Sequence, residues 1–217
     1  MVSVLHGGIR HARYVTEREE YRWWGDIMRL VYGDPPYLGQ AKRHYSHDPS
    51  GIPAEEVDYP ALIEKLKTYD GWALSCSSPS LFQLLCIVHF GKELHVGDSV
   101  PEDLCPQCRT AAWVKPFCSW KPTHRVQYAW EPVIFVPVRP RGDKKVPSVR
   151  DFVSANMTMR KGTHGAKPVA FCDWILNLLG WQPGDTVDDL FPGSGAFTDA
   201  IKWKELTGDE KDEENEI

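Results

Sequence analysis

Two segments of the chain hold residues whose types and spacing suit chemistry. The first is GDPPY, residues 33–37. Pro35 and Pro36 fix φ and have no N–H, so a stiff backbone aims their carbonyls. Asp34 and the neighbouring Pro35 carbonyl offer two acceptors, which suits an amino group with two N–H donors. Tyr37 adds a flat face on which a ring can stack. Such a set would hold a planar heterocycle by its exocyclic NH2 and draw electron density onto that nitrogen. The alternative is a structural turn with a satisfied Asp34 and a core Tyr37. The second segment is DLFPGSG, residues 189–195. Gly193 and Gly195 permit positive φ and a close backbone approach, and a helix after them would present free amides. It lacks the third glycine of a dinucleotide fingerprint and the lysine of a phosphate-cradling loop. Alone it fits a nucleotide or a plain strand-to-helix turn.

The first segment follows a short apolar run, and the second follows a turn and a short strand pattern. IMRLVY (27–32) reads as a buried parallel strand that delivers Asp34 at its C-terminal end. YPALIEKLKTY (59–69) has helical spacing, WALSCS (72–77) is a second strand, and SPSLFQLLCIVHF is a helix with Ser78 or Ser80 as its cap. TAAWVKP and VQYAWEPVIFVPV are a third and fourth strand, the latter bent at Pro132. KPVAFCDWILNLLG is a helix with Pro168 in its first turn and Gly180 at its end. Residues 182–204 then give turn, strand, glycine loop and helix. A further helix is expected near Arg18–Trp24, and a loop over 38–53. This alternation predicts an α/β, doubly wound, mostly parallel sheet in a single domain. Ligands of such sheets sit at the carboxyl ends of the strands, so the two glycine-bearing loops should open on one edge.

Taken together, DPPY, WALSCSS, AAWVKP, WEPVIF, the GAKP helix start and DLFPGSG resemble the amino-group DNA methyltransferases that use S-adenosylmethionine. With DPPY first and the glycine loop last, the order is similar to the circularly permuted beta class, and the short chain resembles phage- and prophage-encoded adenine methylases. The resemblance spans about Met28 to Ala200. It implies a Rossmann-like methyltransferase fold and S-adenosylmethionine as cofactor. It assigns Asp34, Pro35, Pro36 and Tyr37 to a flipped-out adenine, and Asp189, Phe191, Gly193, Ser194, Gly195 and Lys167 to the cofactor. Cytosine amino or RNA methylation, or a non-catalytic nucleic-acid-binding role, are the alternatives. The family continues past the glycine loop to an acid that grips the cofactor ribose. Here an acidic stretch follows, so another residue, a homodimer or a partner chain would supply that contact.

The segment from Arg139 to Lys161 holds seven basic and two acidic residues where the family carries a larger recognition domain. Arg139, Arg141, Lys144, Lys145, Arg160 and Lys161 suit DNA phosphates, which position without reading sequence. The expectation is relaxed specificity, a very short target site, or a single-stranded substrate. KPFCSWKPTHR (115–125) interleaves basic residues with aromatics and contains no acid, a second place where nucleic acid could lie. Alternation of core and surface positions is the other reading. CPQC (105–108), with Cys118 and His124, offers a single knuckle where structural zinc takes pairs, so no metal is expected.

Net charge is −5, yet residues 205–217 alone hold seven acids and one lysine, and the rest is close to neutral. The domain is therefore placed at 1–204, with 139–161 an inserted basic loop and 205–217 a disordered acidic tail. No leader is visible, and the most apolar stretch, around Ser80–Phe90, is too short to cross a membrane. Six cysteines without a disulfide spacing suit a reducing cytoplasm, that of a bacterium or phage host.

Overall fold

A computed structural model of the 217-residue chain describes residues 27–39, 56–91, 107–118, 120–139, 148–158 and 166–208. The predicted helix near Arg18–Trp24 and most of the predicted 38–53 loop lie outside these residues.

Six strands form one sheet: β1 (Arg29–Gly33), β2 (Gly71–Ser75), β3 (Arg109–Val114), β4 (Trp130–Val136), β5 (Phe152–Ser154) and β6 (Thr186–Asp189). Their spatial order is β5-β3-β4-β2-β1-β6. β1 runs parallel to both β2 and β6, and β3 runs parallel to β5. β4 is antiparallel to both of its neighbours, so it alone is reversed in the sheet. Among the described residues, four α-helices accompany the sheet: α1 (Tyr59–Leu66), α2 (Leu81–Phe90), α3 (Val169–Leu179) and α4 (Ala196–Gly208).

The sheet is wound on both faces. On one face Leu30, Tyr32, Ala73, Val133 and Phe135 pack with Phe171, Ile175 and Leu179 of α3 and Phe197 and Ile201 of α4. On the other, Val31, Trp72, Leu74, Ile134 and Val136 pack with Leu62, Ile63 and Leu66 of α1 and Leu84, Ile87 and Val88 of α2. Burial on both faces explains why β1, β2 and β4 read as continuous apolar runs rather than alternating ones. α1 begins at Asp58, whose side chain accepts from the Ala61 amide at 3.0 Å. α3 ends at Gly180, which is left-handed at φ 78° and so close to Arg139 that an added Cβ would lie 3.3 Å from the arginine's Cβ.

Several expectations change. Pro168 is the N-cap of α3 rather than part of its first turn. Ser80 is the N-cap of α2, as expected for one of the two serines, but its hydroxyl makes no capping bond and instead donates to the Ser77 carbonyl at 3.1 Å, because Ser78–Ser80 form a 3-10 turn. The basic segment contains β5, a short edge strand paired with β3. α4 continues through Gly208, so residues 205–208, placed in a disordered tail from the sequence, are helical, while 209–217 lie outside the described residues.

A buried ion pair locks the edge of the sheet where the parallel strands begin. Arg139, just past β4, donates to both Asp185 oxygens at 2.6 and 3.0 Å and to the Gly180 carbonyl at 2.8 Å. The same carboxylate accepts the amides of Met28 and Gln182 at 2.9 and 2.8 Å. Three chain segments thus meet on one carboxylate. Arg139 was expected to touch phosphate. Its side chain is 6% exposed, is spent on Asp185, and sits at the opposite edge of the sheet from Asp34.

Candidate active site

β1 and β6 are parallel neighbours in a register that pairs Tyr32 with Asp189. Their loops therefore leave on the same edge, as expected for ligand sites on such sheets. The Leu190 amide donates to the Tyr32 carbonyl at 3.1 Å, and a Cβ added to Gly33 would come within 3.8 Å of the Phe191 ring. GDPPY and DLFPGSG lie against each other.

In the second loop, Gly193 and Gly195 have φ of +46° and +77°, the left-handed region that a side chain disfavours, and a Cβ on Gly195 would meet none of the described residues within 4 Å. The Gly195 amide donates to the Pro192 carbonyl at 2.6 Å, which tightens the turn into α4. Ser194 is exposed at its crest. Asp189 braces the turn: its two oxygens accept from the Phe191 amide at 3.2 Å and the Thr198 hydroxyl at 3.0 Å. Burial pushes its carboxyl up, against the pull of those donors.

In the first loop, Pro35 and Pro36 are buried and Asp34 and Tyr37 are partly exposed. The Pro36 carbonyl is not free, because it accepts from the Tyr59 hydroxyl at 3.0 Å. The Pro35 carbonyl has no hydrogen-bond partner among the described residues. Asp34 meets Lys167 through Oδ1 at 3.1 Å, and Oδ2 has no partner among the described residues. The pair of acceptors expected from the sequence is thus Asp34 Oδ2 and the Pro35 carbonyl.

Lys167, assigned to the cofactor through the resemblance, is placed instead at the centre of a charged group around Asp34. Its ammonium also meets Glu131 Oε2 at 3.1 Å and lies 3.4 Å from the Tyr37 hydroxyl. Glu131, at the start of β4, takes Lys115 on its other oxygen at 2.8 Å and accepts the Tyr37 hydroxyl at 2.6 Å. Two carboxylates and two ammonium groups therefore balance in a largely dry pocket, with the rings of Trp113 and Phe171 5.2 and 5.5 Å from the Lys167 ammonium. Sequence reading missed Glu131 and placed Lys115 in a surface cluster. The one available signal was a glutamate in an otherwise apolar strand.

The charges tune one another. Burial would lower the Lys167 pKa, but Asp34 and Glu131 hold it well above the usual lysine range. Burial would raise Glu131, but Lys167 and Lys115 bring it down to about 2. Asp34 comes out raised, because burial and the Glu131 charge outweigh its single contact with Lys167. Burial, then Glu131 and Asp34, push the Tyr37 phenol well up, so it stays a neutral donor.

Of the other residues singled out, Arg141, Lys144, Lys145, Arg160, Lys161 and Cys105 lie outside the described residues. Among the described residues no helix is long and apolar enough to cross a membrane.

No protein-family model matches the chain. No curated protein matches it. Among solved structures, the crystal structure of the M1.HpyAVI–SAM complex is similar at TM-score 0.51 and 16% identity, covering 85% of this chain and 82% of that one. The crystal structure of M1.HpyAVI gives TM-score 0.50 at 14% identity, covering 86% and 82%. At these identities the likeness is one of fold. It agrees with the expected architecture, a doubly wound α/β sheet of the Rossmann-like methyltransferase type in a single domain.

Proposed function

We propose that the chain is a DNA methyltransferase that moves a methyl group from S-adenosylmethionine to the exocyclic amino group of adenine, at a very short or relaxed target site. One observation carries this reading. Two acceptors without partners among the described residues, Asp34 Oδ2 and the Pro35 carbonyl, stand beside Tyr37 on the edge of the sheet where a glycine loop with open space at Gly195 lies against them. The shared fold with a protein crystallised with SAM supports the choice of cofactor.

The glycine loop fits such a cofactor. Asp189, Phe191, Gly193, Ser194 and Gly195 would hold it, with the Gly195 space admitting a ligand where a side chain would otherwise stand. The cofactor supplies a methyl carbon on a sulfonium, an electrophile that needs no further activation. The protein's work is then alignment and charge. Asp34 Oδ2 and the Pro35 carbonyl accept the two amino hydrogens and turn the nitrogen lone pair toward the glycine loop. Asp34 would stabilise the positive charge that grows on nitrogen as the N–C bond forms and the methyl–sulfur bond breaks, the sulfonium leaving as a neutral thioether and the surplus amino proton passing to Asp34 or solvent. Tyr37, anchored through its hydroxyl to Glu131, holds the base ring, which must leave the duplex to enter. Lys167 keeps Asp34 ionised, which its burial opposes. Arg141, Lys144, Lys145, Arg160 and Lys161 remain in this proposal as phosphate contacts, and Arg139 does not.

The test is methyl transfer from labelled S-adenosylmethionine to unmodified single- and double-stranded DNA, with nucleosides resolved by mass. Methyladenine that disappears in Asp34→Ala is expected. Methylcytosine would keep the mechanism and overturn the choice of base. No thermal stabilisation by millimolar cofactor would overturn the enzyme reading in favour of a non-catalytic nucleic-acid-binding protein.

A further inference from the structure

The described residues of the connection between β3 and β4, 115–118 and 120–129, expose large rings on a braced backbone. Phe117 is 59% exposed and Trp120 72%. Rings of this size in water normally mark a surface that another molecule covers. The loop that carries them is tied at many points. The Lys115 amide donates to the Ala129 carbonyl at 2.7 Å and closes its base. The Gln127 side chain accepts the Lys121 amide at 2.8 Å and donates to the carbonyls of Lys121 and His124. The His124 amide donates to the Lys121 carbonyl at 3.0 Å. Outside the loop, the Phe117 amide donates to Asn156 Oδ1 at 3.1 Å. The two rings are thus presented by a fixed frame.

The charge around them has one sign. From Lys115 to Trp130 the sequence contains Lys115, Lys121, His124 and Arg125 and no acid. Lys121 lies 5.6 Å from the Tyr128 ring centre, and His124 packs edge-on against the same ring. On the flanking strands Glu131 is taken by Lys115 and Lys167, and Asp151 faces Arg109. A membrane surface would call for a continuous apolar face. Here Phe117 and Trp120 are set among Pro116, Lys121, Pro122 and Thr123. Separate rings interleaved with cations are what unpaired bases and their phosphates require: each ring stacks on a base whatever its identity, and each cation tracks the backbone.

We infer that this loop is a stacking platform for unpaired nucleic acid, with bases on Phe117 and Trp120 and phosphates on Lys121 and Arg125. The inference rests on the proposed function and extends it, since it names the strand that leads into the site. The base of the loop is Lys115, which is linked to Asp34 through Glu131 and Lys167, so the platform starts from the same group of charges as the acceptor pair. Recognition by stacking tolerates any sequence.

The experiment is fluorescence anisotropy on the full chain with a labelled single strand of about twenty nucleotides, the length of a few stacking sites, and with its duplex. Phe117→Ala and Trp120→Ala should each weaken single-strand binding about tenfold, and the double variant more. Trp120→Phe should keep most of the affinity, and Trp203→Ala, at an exposed position on α4, should change nothing. Lys121→Gln and Arg125→Gln should each reduce the salt slope by about one. Both rings are exposed, so thermal midpoints should match the parent. A double variant that binds the single strand as tightly as the parent overturns the inference. So does a parent that binds no oligonucleotide, or one that prefers anionic vesicles. Binding is read without turnover, so the two readings fail separately. Ring-dependent binding without methyl transfer defeats only the enzyme reading. Methyl transfer with ring-independent binding defeats only this one.

Discussion

Two buried charge groups stand at opposite edges of the same sheet, and they are built on opposite plans. At the edge where the parallel strands begin, Asp185 receives two bonds from Arg139 and two from backbone amides. Every lone pair that can be used is used, and the group is closed. At the other edge, Asp34 receives one bond from Lys167 and its second oxygen has no partner among the described residues, while Glu131 is taken by Lys115, Lys167 and Tyr37. A half-buried carboxylate with an oxygen that no described residue satisfies is costly to the fold. A closed group serves stability, and an open one is poised to complete itself with a ligand.

That contrast can be broken at either end. The largest effect is expected at the closed group. Arg139→Ala leaves Asp185 buried without its cation and should lower the unfolding free energy by about 3–5 kcal/mol in denaturant titration, while cofactor binding per folded molecule is unchanged. At the open group the loss should fall on activity: Asp34→Asn should cut methyl transfer by about a hundredfold or more, and the protein should still fold because Lys167 keeps Glu131. Comparable losses of stability in both variants would erase the distinction.

Glu131→Gln sharpens it. The folded pKa of Glu131 lies near 2, below the ordinary 4.5, so its stabilising contribution is present above that ordinary value and lost as pH falls toward 2. The Gln variant should lack this acid-side loss in unfolding measured across that range, and should turn over about tenfold more slowly because Tyr37 and Lys167 lose their common anchor. Asp34 has the opposite sign. Its folded pKa is raised, so its contribution to stability declines as pH rises from its unfolded value through the folded one. Methyl transfer, which needs the carboxylate, should therefore fall off on the acid side at a pH above the usual aspartate range. Lys167→Met should move that limb upward by about one unit, because the ammonium that favours the carboxylate is gone. A limb that stays in place would remove Lys167 from the tuning of Asp34.

Much of this was legible in the chain, and what was not has a common cause. GDPPY could be read because its chemistry is local: proline stiffness, an acid and a ring within four residues. β1, β2 and α3 could be read because burial on both faces leaves an unbroken apolar run or a helical period with Gly180 at its stop. The partners of the charged residues could not. Arg139 and Asp185 are separated by 46 residues, and Lys167 and Asp34 are joined only through the sheet order. Arg139 stands among other basic residues, so composition alone suggested a phosphate contact. Lys115 and Glu131 meet across a hairpin whose register the sequence does not spell out. β5 escaped because three half-exposed residues on an edge give no periodic signal. Ser80 takes the N-cap position read from the sequence, but the tight turn at Pro79 directs its hydroxyl back to Ser77 instead of onto the helix amides.

The reversal of β4 has a consequence for how the molecule assembles. Glu131 sits near its first residue and Arg139 three residues past its last, so one segment furnishes an anchor to each edge of the sheet. A slip of one residue in its pairing would exchange Ile134 and Phe135 between the two cores. The same slip would pull Glu131 from Tyr37 and Arg139 from Asp185 together. A misaligned hairpin therefore earns neither anchor, and the chain has no half-correct arrangement in which the reactive edge is formed while the opposite edge is open. Proofreading of strand alignment and completion of the reactive edge become a single event.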